Sequence, residues 1–249
     1  RKAFGKLIID HDLHCQTLAN LEVECRASFL TLCFVAKLLG KVECNKASGE
    51  EQELLRFLTP LLKLYTAKQA IAVCSEGLEA FGGQGYIEET GIPCILRDAQ
   101  VLSIWEGTTN ILSLDALRSI DKSKGQSMKI FVAQIGKRCA EAAKHSSLSS
   151  LAAMVAAKTS ELEKFLHQCD PQLIQASSRE FSFSLYRLFT ASLILERCMR
   201  NDLAENDLFL LNKWCTIHDL APVLALHKSK NYDSRLNKSL FMEGYASTN

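Results

Sequence analysis

The amino-acid sequence predicts an all-α fold, and three observations support this prediction. Apolar residues recur at the spacing of amphipathic helices along most of the chain. The 12 Gly and 4 Pro among 249 residues are too few for the frequent turns of a β protein. No run typical of a strand is bounded by turn signals. A hydrophobic content of 47% is enough for one large or two modest cores, which excludes disorder of the whole chain.

The first predicted helix extends from about residue 10 to about residue 39. Gly40 follows its last apolar residue and is expected to end it, because glycine readily adopts the left-handed conformation that closes a helix. The predicted apolar face consists of Leu18, Leu21, Cys25 and Leu32.

The second predicted helix begins at a capping box, in which Ser48 and Glu51 each satisfy a free backbone amide. It extends to about Phe81. Pro60 near its middle is expected to kink it, because proline lacks an amide hydrogen and its ring clashes with the preceding turn. The helix is expected to end at a glycine-rich exit formed by Gly82, Gly83 and Gly85.

A loop is predicted over residues 84–93, followed by a short helical piece over residues 98–104. Gly107 interrupts the pattern again. Thr108 or Thr109 can then cap a further helix. The apolar residues of that helix are Ile111, Leu112, Leu114 and Leu117.

The polar stretch 121–126 is the predicted boundary between residues 1–120, a helical bundle, and residues 121–249, a helical extension. The extension contains three plainer amphipathic stripes, and its tail after about residue 228 is polar and expected to be loose. We interpret the stripes as core or subunit contacts, and predict an added helical layer that supports oligomerisation or partner binding. The stripes occupy residues 151–169, 181–199 and 208–226.

Charge and cysteine usage exclude several classes of protein. The 29 Lys and Arg against 28 Asp and Glu give a formal net charge of +1, so no global basic field attracts nucleic acid or anionic lipid. No apolar run approaches the roughly 18 residues of a membrane span. The 10 Cys include no CxxC spacing, so we expect reduced, mostly buried thiols in an intracellular protein. The chain begins at Arg1 without Met, and we expect any targeting signal to lie outside it.

The segment from Ile104 to Thr108 places one carboxylate, Glu106, between a bulky apolar pair and a glycine, directly before a helix. Burial against Ile104 and Trp105 would disfavour the charged carboxylate, which suits a general base working near neutral pH. Gly107 allows a ligand to approach closely, and free amides at the helix start favour phosphate or ribose oxygens. On spacing alone, an ordinary exposed loop glutamate before an ordinary cap is the more frequent explanation.

Two other segments have possible roles in cofactor binding. The glycine-rich exit, residues 77–86, can bring backbone close to a cofactor. The opening, residues 1–6, offers cations beside the aromatic ring of Phe4, which suits pyrophosphate and adenine. Taken singly, the glycine-rich exit is more simply explained as a helix terminator, and the opening as a solvated basic end of the chain.

Together, these three segments resemble the C-terminal helical domain of the acyl-CoA dehydrogenase family. The resemblance covers about residues 1–118 and implies a bundle of long helices. Residues 104–118 and the extension are most similar to the AidB-like branch of the family. The residues that carry the resemblance are the Arg-Lys-Ala-Phe-Gly opening, the Phe-Gly-Gly-Gln-Gly-Tyr exit, the Arg97-Asp98 pair and the Trp-Glu-Gly-Thr-Thr-Asn box that begins at Trp105.

The resemblance implies that Glu106 removes the α proton of an acyl-CoA thioester while the flavin N5 of FAD accepts the β hydride, giving a trans-2-enoyl-CoA. Gly107 would lie against the substrate. In the family, the opening Arg and the glycine-rich exit contact the FAD of a neighbouring subunit, which implies a homodimer or homotetramer. The family also suggests a mitochondrial location, and it leaves the electron acceptor open. The implied FAD-binding residues are Arg1, Phe4, His11, Glu79, Gly82, Gly83, Thr108, Thr109 and Asn110.

Two departures from the family pattern put contacts in question. Many relatives have glutamine where this chain has Glu79 and Asp12, and a carboxylate near pyrophosphate is unfavourable unless a cation such as Arg1 offsets it. The N-terminal helical domain and the middle β domain of the family, which hold most of the flavin, do not occur in this sequence. We therefore expect the isolated chain to be inactive.

The alternative hypothesis is a non-catalytic AidB-like flavoprotein that binds nucleic acid or senses long-chain acyl-CoA. Residues 119–149 carry six basic against two acidic residues, without the interleaved aromatic residues of single-strand binding, so a solvated helix face explains them better. A metal site is not favoured. His11, His14 and Cys15, or Cys215 with His218, can share a helix face, but no spacing suggests the remaining ligands.

Overall fold

The architecture in the computed structural model, which describes residues 1–229 and 233–243, is all-α, as predicted. Among these described residues, no helix has both the length and the apolar composition needed to cross a membrane. The helices are α1 Asp12–Glu43, α2 Gly49–Ala80, α3 Ile92–Leu102, α4 Thr109–Lys122, α5 Gln126–Ala142, α6 Ser149–Gln168, α7 Pro171–Ala176, α8 Ser178–Arg200, α9 Glu205–Ile217, α10 Pro222–Ser229 and α11 Ser234–Met242.

A small hairpin at the start of the chain is the exception to the helical pattern. Strands β1 (Lys2–Ala3) and β2 (Lys6–Leu7) pair in antiparallel orientation. The two residues between them, Phe4 and Gly5, have φ values of +49° and +84°. Two successive left-handed residues are typical of a tight hairpin turn. This hairpin was not predicted, because two-residue strands are too short to show a period in the sequence.

Helix α1 continues beyond Gly40, so its predicted end was wrong. The helix ends in a Schellman motif, in which Asn45 adopts a φ of +53°. The amide of Lys46 donates to the carbonyl of Lys41 at 2.8 Å, and the amide of Asn45 donates to that of Val42 at 3.0 Å. A glycine inside a helix costs only about 1 kcal/mol relative to alanine, so it does not by itself end a helix.

The buried face of α1 also differs from the predicted one. Cys25 and Leu32 are exposed, and Leu18 and Leu21 are only partly buried. Helix α1 carries apolar residues on two faces, so helical spacing alone could not identify the one that packs against the core. The residues buried on α1 are Val23, Glu24, Ala27, Thr31, Val35 and Leu38.

Helix α2 begins as predicted. The amide of Glu51 donates to Ser48 Oγ at 3.2 Å, and the amide of Ser48 donates to Glu51 Oε2 at 3.0 Å, which completes the capping box. Pro60 is buried inside this helix, and the chain is helical on both sides of it. The helix ends at Ala80, one residue before the predicted end. Its buried residues lie between Leu54 and Ala67, and the helix packs against α1, α3, α4, α5 and α8.

The segment after α2 is more helical than predicted. Two short 3₁₀ turns, Gly82–Gly85 and Glu88–Thr90, occupy half of the predicted loop. Helix α3 then begins at Ile92, six residues before the predicted start, with Pro93 in its first turn. Proline is favoured at this position because its missing amide hydrogen would have no helical partner there.

One hydrophobic core includes residues from both sides of the predicted boundary. Helix α8 of the extension is buried around most of its surface and packs against α1, α2, α4, α5, α6, α9 and α10. The ring of Phe131 on α5 lies 5.4 Å from that of Phe57 on α2 and 5.3 Å from that of Phe189 on α8, between ring centroids. The extension therefore completes the core of the bundle. The division at residue 120 stays a prediction.

Two further expectations, one about the tail and one about the cysteines, need correction. The tail is not loose throughout, since α11 forms a helix whose Asp233 caps the amides of Arg235 and Leu236. Residues 230–232 and 244–249 of the predicted loose tail lie outside the described residues. All ten cysteines are free, but only Cys139 and Cys198 are buried, so the expectation of mostly buried thiols was wrong.

An ion pair between α2 and α4 provides a test of pH-dependent stability. Arg56 donates two hydrogen bonds to Asp115, at 2.9 and 3.0 Å. The hydrogen bond from Arg56 holds the pKa of the Asp115 carboxyl below its ordinary value. Because the folded pKa is lowered, this stabilisation is present above the unfolded value of about 3.9 and is lost as the pH falls through the folded value.

We expect Asp115→Asn to lower the free energy of unfolding of the chain at pH 7 by about 0.5–1 kcal/mol, since the pair is partly exposed to solvent. The difference from wild type should shrink towards zero near pH 2. Urea denaturation at both pH values measures it, with Asp121→Asn on the exposed side of the same helix as control. An equal loss at both pH values would contradict this account of the pair.

Candidate functional site

Glu106 lies in the short loop that joins α3 to α4. Its φ is +51°, and that of Gly107 is +102°. A non-glycine residue in the left-handed region is uncommon and is found where the surrounding structure enforces it. A Cβ added at Gly107 would lie 3.1 Å from Leu112 Cδ2, so the loop packs closely against α4. The two residues turn the chain sharply and leave Glu106 exposed.

Lys63 of α2 contacts the backbone of this loop. Its Nζ donates hydrogen bonds to the carbonyl oxygen of Trp105 at 2.7 Å and to that of Gly107 at 2.5 Å. Burial lowers the pKa of Lys63, while the negative charge of Glu106 acts in the opposite direction. Lys63 was not predicted as a site residue, because it lies 42 residues before Trp105 and belongs to no local motif.

The apolar residues beside Glu106 do not bury it. Ile104 is 63% exposed and Trp105 is 56% exposed, and Glu106 itself is exposed. The desolvation predicted for Glu106 is therefore not provided by the described part of this chain. Ile111 on the first turn of α4 is also 57% exposed, so three large apolar side chains near the loop are open to solvent.

The three residues after Gly107 have different surroundings. Thr108 occupies the N-cap position of α4 and is exposed, but its hydroxyl makes no capping hydrogen bond. Thr109 is 5% exposed and lies inside the bundle. Asn110 is exposed, and its Oδ1 accepts a hydrogen bond from Arg179 of α8 at 3.2 Å. Of the three predicted FAD-binding residues of this box, Thr108 and Asn110 are thus the two that a ligand can reach.

Four other predicted FAD-binding residues line a single cavity of about 410 Å³ between the hairpin, the start of α1 and the end of α2. Phe4 at the hairpin turn is 97% exposed. His11 Nε2 lies 3.0 Å from the carbonyl oxygen of Ala3, which ties the start of α1 to the hairpin. The four residues are Arg1, Phe4, His11 and Glu79.

The opening and the glycine-rich exit are in contact. Gly82 has a φ of +64°, and a Cβ built there would lie 3.3 Å from Arg1 Nη2. Gly83 has open space around its Cα. A side chain at residue 82 would therefore push against the Arg1 guanidinium, whereas the backbone at residue 83 is free to approach a ligand.

Gly85 is the glycine of this exit that packing requires. It is buried, and a Cβ there would overlap the backbone carbonyl of Leu78. We expect Gly85→Ala to lower the free energy of unfolding of the chain by about 1–3 kcal/mol, because backbone rather than a flexible side chain must move. Gly83→Ala is the matched control, with an expected change within about 0.5 kcal/mol. Equal urea midpoints for the two variants would contradict the close packing at residue 85.

The cavity contains charges of both signs. The cation of Arg1 lines it together with the carboxylates of Glu76 and Glu79. A carboxylate near a phosphate is unfavourable, so an anionic ligand must lie on the Arg1 side. Sixteen residues of α2 separate Lys63 from Glu79, which at 1.5 Å per residue is about 24 Å. The cavity and the Glu106 loop are therefore two separate sites along one helix.

Several of the residues considered for metal or nucleic-acid binding make other contacts in the structure. Among the described residues, no three His, Cys, Asp or Glu side chains are grouped so that they could hold a metal ion. His218 instead pairs with Glu24, with Nε2 and Oε1 2.5 Å apart. The basic stretch 119–149 is interrupted, since Arg138 is 8% exposed and donates to Glu196 at 2.7 Å.

Comparison with known proteins identifies the family. A model described as the acyl-CoA dehydrogenase C-terminal domain matches residues 1–121, and one described as acyl-CoA dehydrogenase 11 C-terminal domain-like matches residues 126–240. The chain belongs to the acyl-CoA dehydrogenase family. This confirms the resemblance seen in the sequence. It also extends that resemblance through most of the helical extension.

Two relatives and one solved structure illustrate the similarity. Acyl-CoA dehydrogenase family member 11 of Caenorhabditis elegans is 37% identical over 86% of this chain and 36% of its own length. The putative acyl-CoA dehydrogenase AidB of Escherichia coli is 31% identical over 50% of this chain and 22% of its own length. The crystal structure of Caenorhabditis elegans ACDH-11 in complex with C11-CoA matches with a TM-score of 0.83 and 36% identity, over 88% of this chain and 38% of that one.

The chain thus spans at most 38% of the length of these relatives. Glu106, Trp105 and the cavity beside Arg1 all lie on exposed surfaces of the part described.

Proposed function

We propose that this chain is the C-terminal part of an FAD-dependent acyl-CoA dehydrogenase, which converts a saturated acyl-CoA thioester to a trans-2-enoyl-CoA with Glu106 as the base. The observation that carries the proposal is an exposed carboxylate held in a left-handed loop within the Trp-Glu-Gly-Thr-Thr-Asn box. The binding of C11-CoA by the related ACDH-11 structure supports an acyl-CoA thioester as the ligand.

In the proposed reaction, the Glu106 carboxylate takes the proton from Cα of the thioester, which the adjacent carbonyl group makes acidic. Gly107, whose missing side chain lets the loop pack against Leu112, would lie against the substrate. FAD, when bound, supplies the acceptor for the hydride that leaves Cβ. The apolar surface formed by Ile104, Trp105 and Ile111 becomes the wall that excludes water from this proton transfer, once it is covered.

The residues of the cavity fit the adenosine diphosphate part of FAD. Arg1 offers a permanent cation for the pyrophosphate, and the exposed ring of Phe4 offers a face for the adenine. Gly82 and Gly83 allow backbone to approach closely. In this arrangement Arg1 offsets the carboxylate of Glu79, because both line the same cavity.

We infer that the cavity serves the FAD of a neighbouring subunit. It lies about 24 Å along α2 from the loop that contains Glu106, so one chain presents two separate groups of contacts. Large apolar side chains are exposed around the exit, among them Phe81 at 57% and Tyr86 at 86%. A second copy of the chain would cover them in a homodimer or homotetramer.

Anaerobic titration of the full-length, flavin-loaded protein with saturated acyl-CoAs of several chain lengths tests the proposed function. Bleaching of the flavin by one class of chain length, with a product lighter by two hydrogens, is expected. Flavin that stays oxidised with every thioester would contradict the proposal. It would favour the AidB-like alternatives. Salt-dependent binding of nucleic acid would then support a nucleic-acid-binding flavoprotein, and tight binding of acyl-CoA without turnover would support an acyl-CoA sensor.

A further inference from the structure

We propose that Lys63 is a positioning residue, which holds the backbone on both sides of Glu106 and so fixes the carboxylate for proton transfer. The inference rests on the proposed function. Lys63 Nζ bonds the carbonyl oxygens of Trp105 and Gly107, the two residues that flank the base. A clamp on both neighbours restricts the rotation of the peptide units that carry Glu106.

The support for this clamp is rigid. Lys63 belongs to the middle of the long helix α2, and its neighbours Leu61, Leu64 and Tyr65 are at most 1% exposed. The position of the Lys63 backbone is therefore set by the core and not by the loop. A site built on such a helix holds its geometry better than a site supported by a loop alone.

The conformation of Glu106 explains why a clamp is needed. A left-handed φ at a residue with a side chain is sparsely populated, so a free loop would often adopt other conformations. Hydrogen bonds from an ammonium group are stronger than those between neutral groups, and two of them converge on this loop. Within the described residues, no other side chain bonds both flanking carbonyls.

Electrostatics couples the two side chains as well. The pKa of Lys63 is lowered by its burial beneath the loop, and the charge of Glu106 partly opposes that change. Lys63 and Glu106 are thus close enough for their charges to interact, although the hydrogen bonds go to the backbone.

Three variants of the full-length protein test the role of Lys63. Lys63→Met removes the donors but keeps an unbranched chain, Lys63→Arg restores a cation with donors, and Lys68→Met is the control on the same helix, where the lysine is also half-buried. For Lys63→Met we expect the rate of flavin reduction at saturating acyl-CoA to fall about 10–100-fold, as for a misplaced catalytic group. The KM for acyl-CoA and the FAD content should change less than about twofold. Lys63→Arg should recover most of the rate.

Hydrogen–deuterium exchange over residues 103–108 provides a readout that does not depend on activity. We expect faster amide exchange in Lys63→Met than in wild type or Lys68→Met. Unchanged exchange would overturn the proposal whether or not thioesters bleach the flavin, and so would an unchanged reduction rate in an active protein. A third outcome is faster exchange in Lys63→Met together with a wild-type flavin that no thioester reduces. That outcome would overturn the proposed function alone and would leave the anchoring by Lys63 supported.

Discussion

Replacing Glu106 with glutamine is expected to slow the reduction of bound flavin by acyl-CoA about 10²–10⁴-fold in the full-length protein, which is the usual contribution of a general base. Glutamine has nearly the same shape as glutamate but cannot take the α proton. The left-handed loop and its two bonds from Lys63 involve only backbone on the loop side, so the variant should keep them. FAD content and acyl-CoA binding should therefore stay within about twofold of wild type.

Stopped-flow measurement of flavin bleaching tests this prediction. Glu89→Gln is a matched control, because Glu89 is an exposed glutamate in the nearby turn before α3. It should leave the rate unchanged. A Glu106→Gln protein that still bleaches within about threefold of wild type would show that another group removes the proton.

Truncating Phe131 to alanine is expected to lower the free energy of unfolding of the chain by about 3–5 kcal/mol, the usual cost of removing a buried phenylalanine ring. Phe131 is 0% exposed, and its ring joins that of Phe57 in the bundle to that of Phe189 in the extension. The cavity left behind would be shared by both halves. We therefore expect one cooperative transition, shifted as a whole.

Urea denaturation followed by circular dichroism and by fluorescence of the buried Trp214 measures this effect. Phe209→Ala is the control, since that ring is 54% exposed on α9 and its removal should cost far less. Two separate transitions in the Phe131→Ala protein would contradict a shared core. They would instead support independent folding of the bundle and the extension.

Local signals in the sequence predicted local structure well. The capping box at Ser48 and Glu51 depends on side chains three residues apart, and it forms as expected. The start of α4 after Thr108 is also a local property. In contrast, the buried face of α1 depends on where α8 packs, and the periodicity of α1 fits either of two faces. The end of α1 at Glu43, not at Gly40, is decided by a hydrogen-bonding motif with Asn45 in the left-handed conformation, which several residue types permit.

In the candidate site, too, local features were predicted from the sequence and contacts between distant segments were not. The Glu106 box was recognisable because its residues are adjacent in sequence. The family resemblance implied that Arg1 and Gly82 both reach FAD, but neither their mutual contact nor the contact of Lys63 with the loop was predicted, since each joins segments far apart in the chain. The exposure of Glu106 could not be deduced from its apolar neighbours, because burial depends on what covers Ile104 and Trp105.

The central claim, that Glu106 removes the α proton of an acyl-CoA, is tested most directly by hydrogen exchange at Cα in D₂O. The substrate is a thioester whose β carbon carries no hydrogen, so that proton removal is separated from hydride loss, and a change in the flavin spectrum verifies binding. We predict deuterium incorporation at Cα with the wild-type full-length protein and none above background with Glu106→Gln. Equal incorporation by both proteins would contradict the assignment of Glu106 as the base.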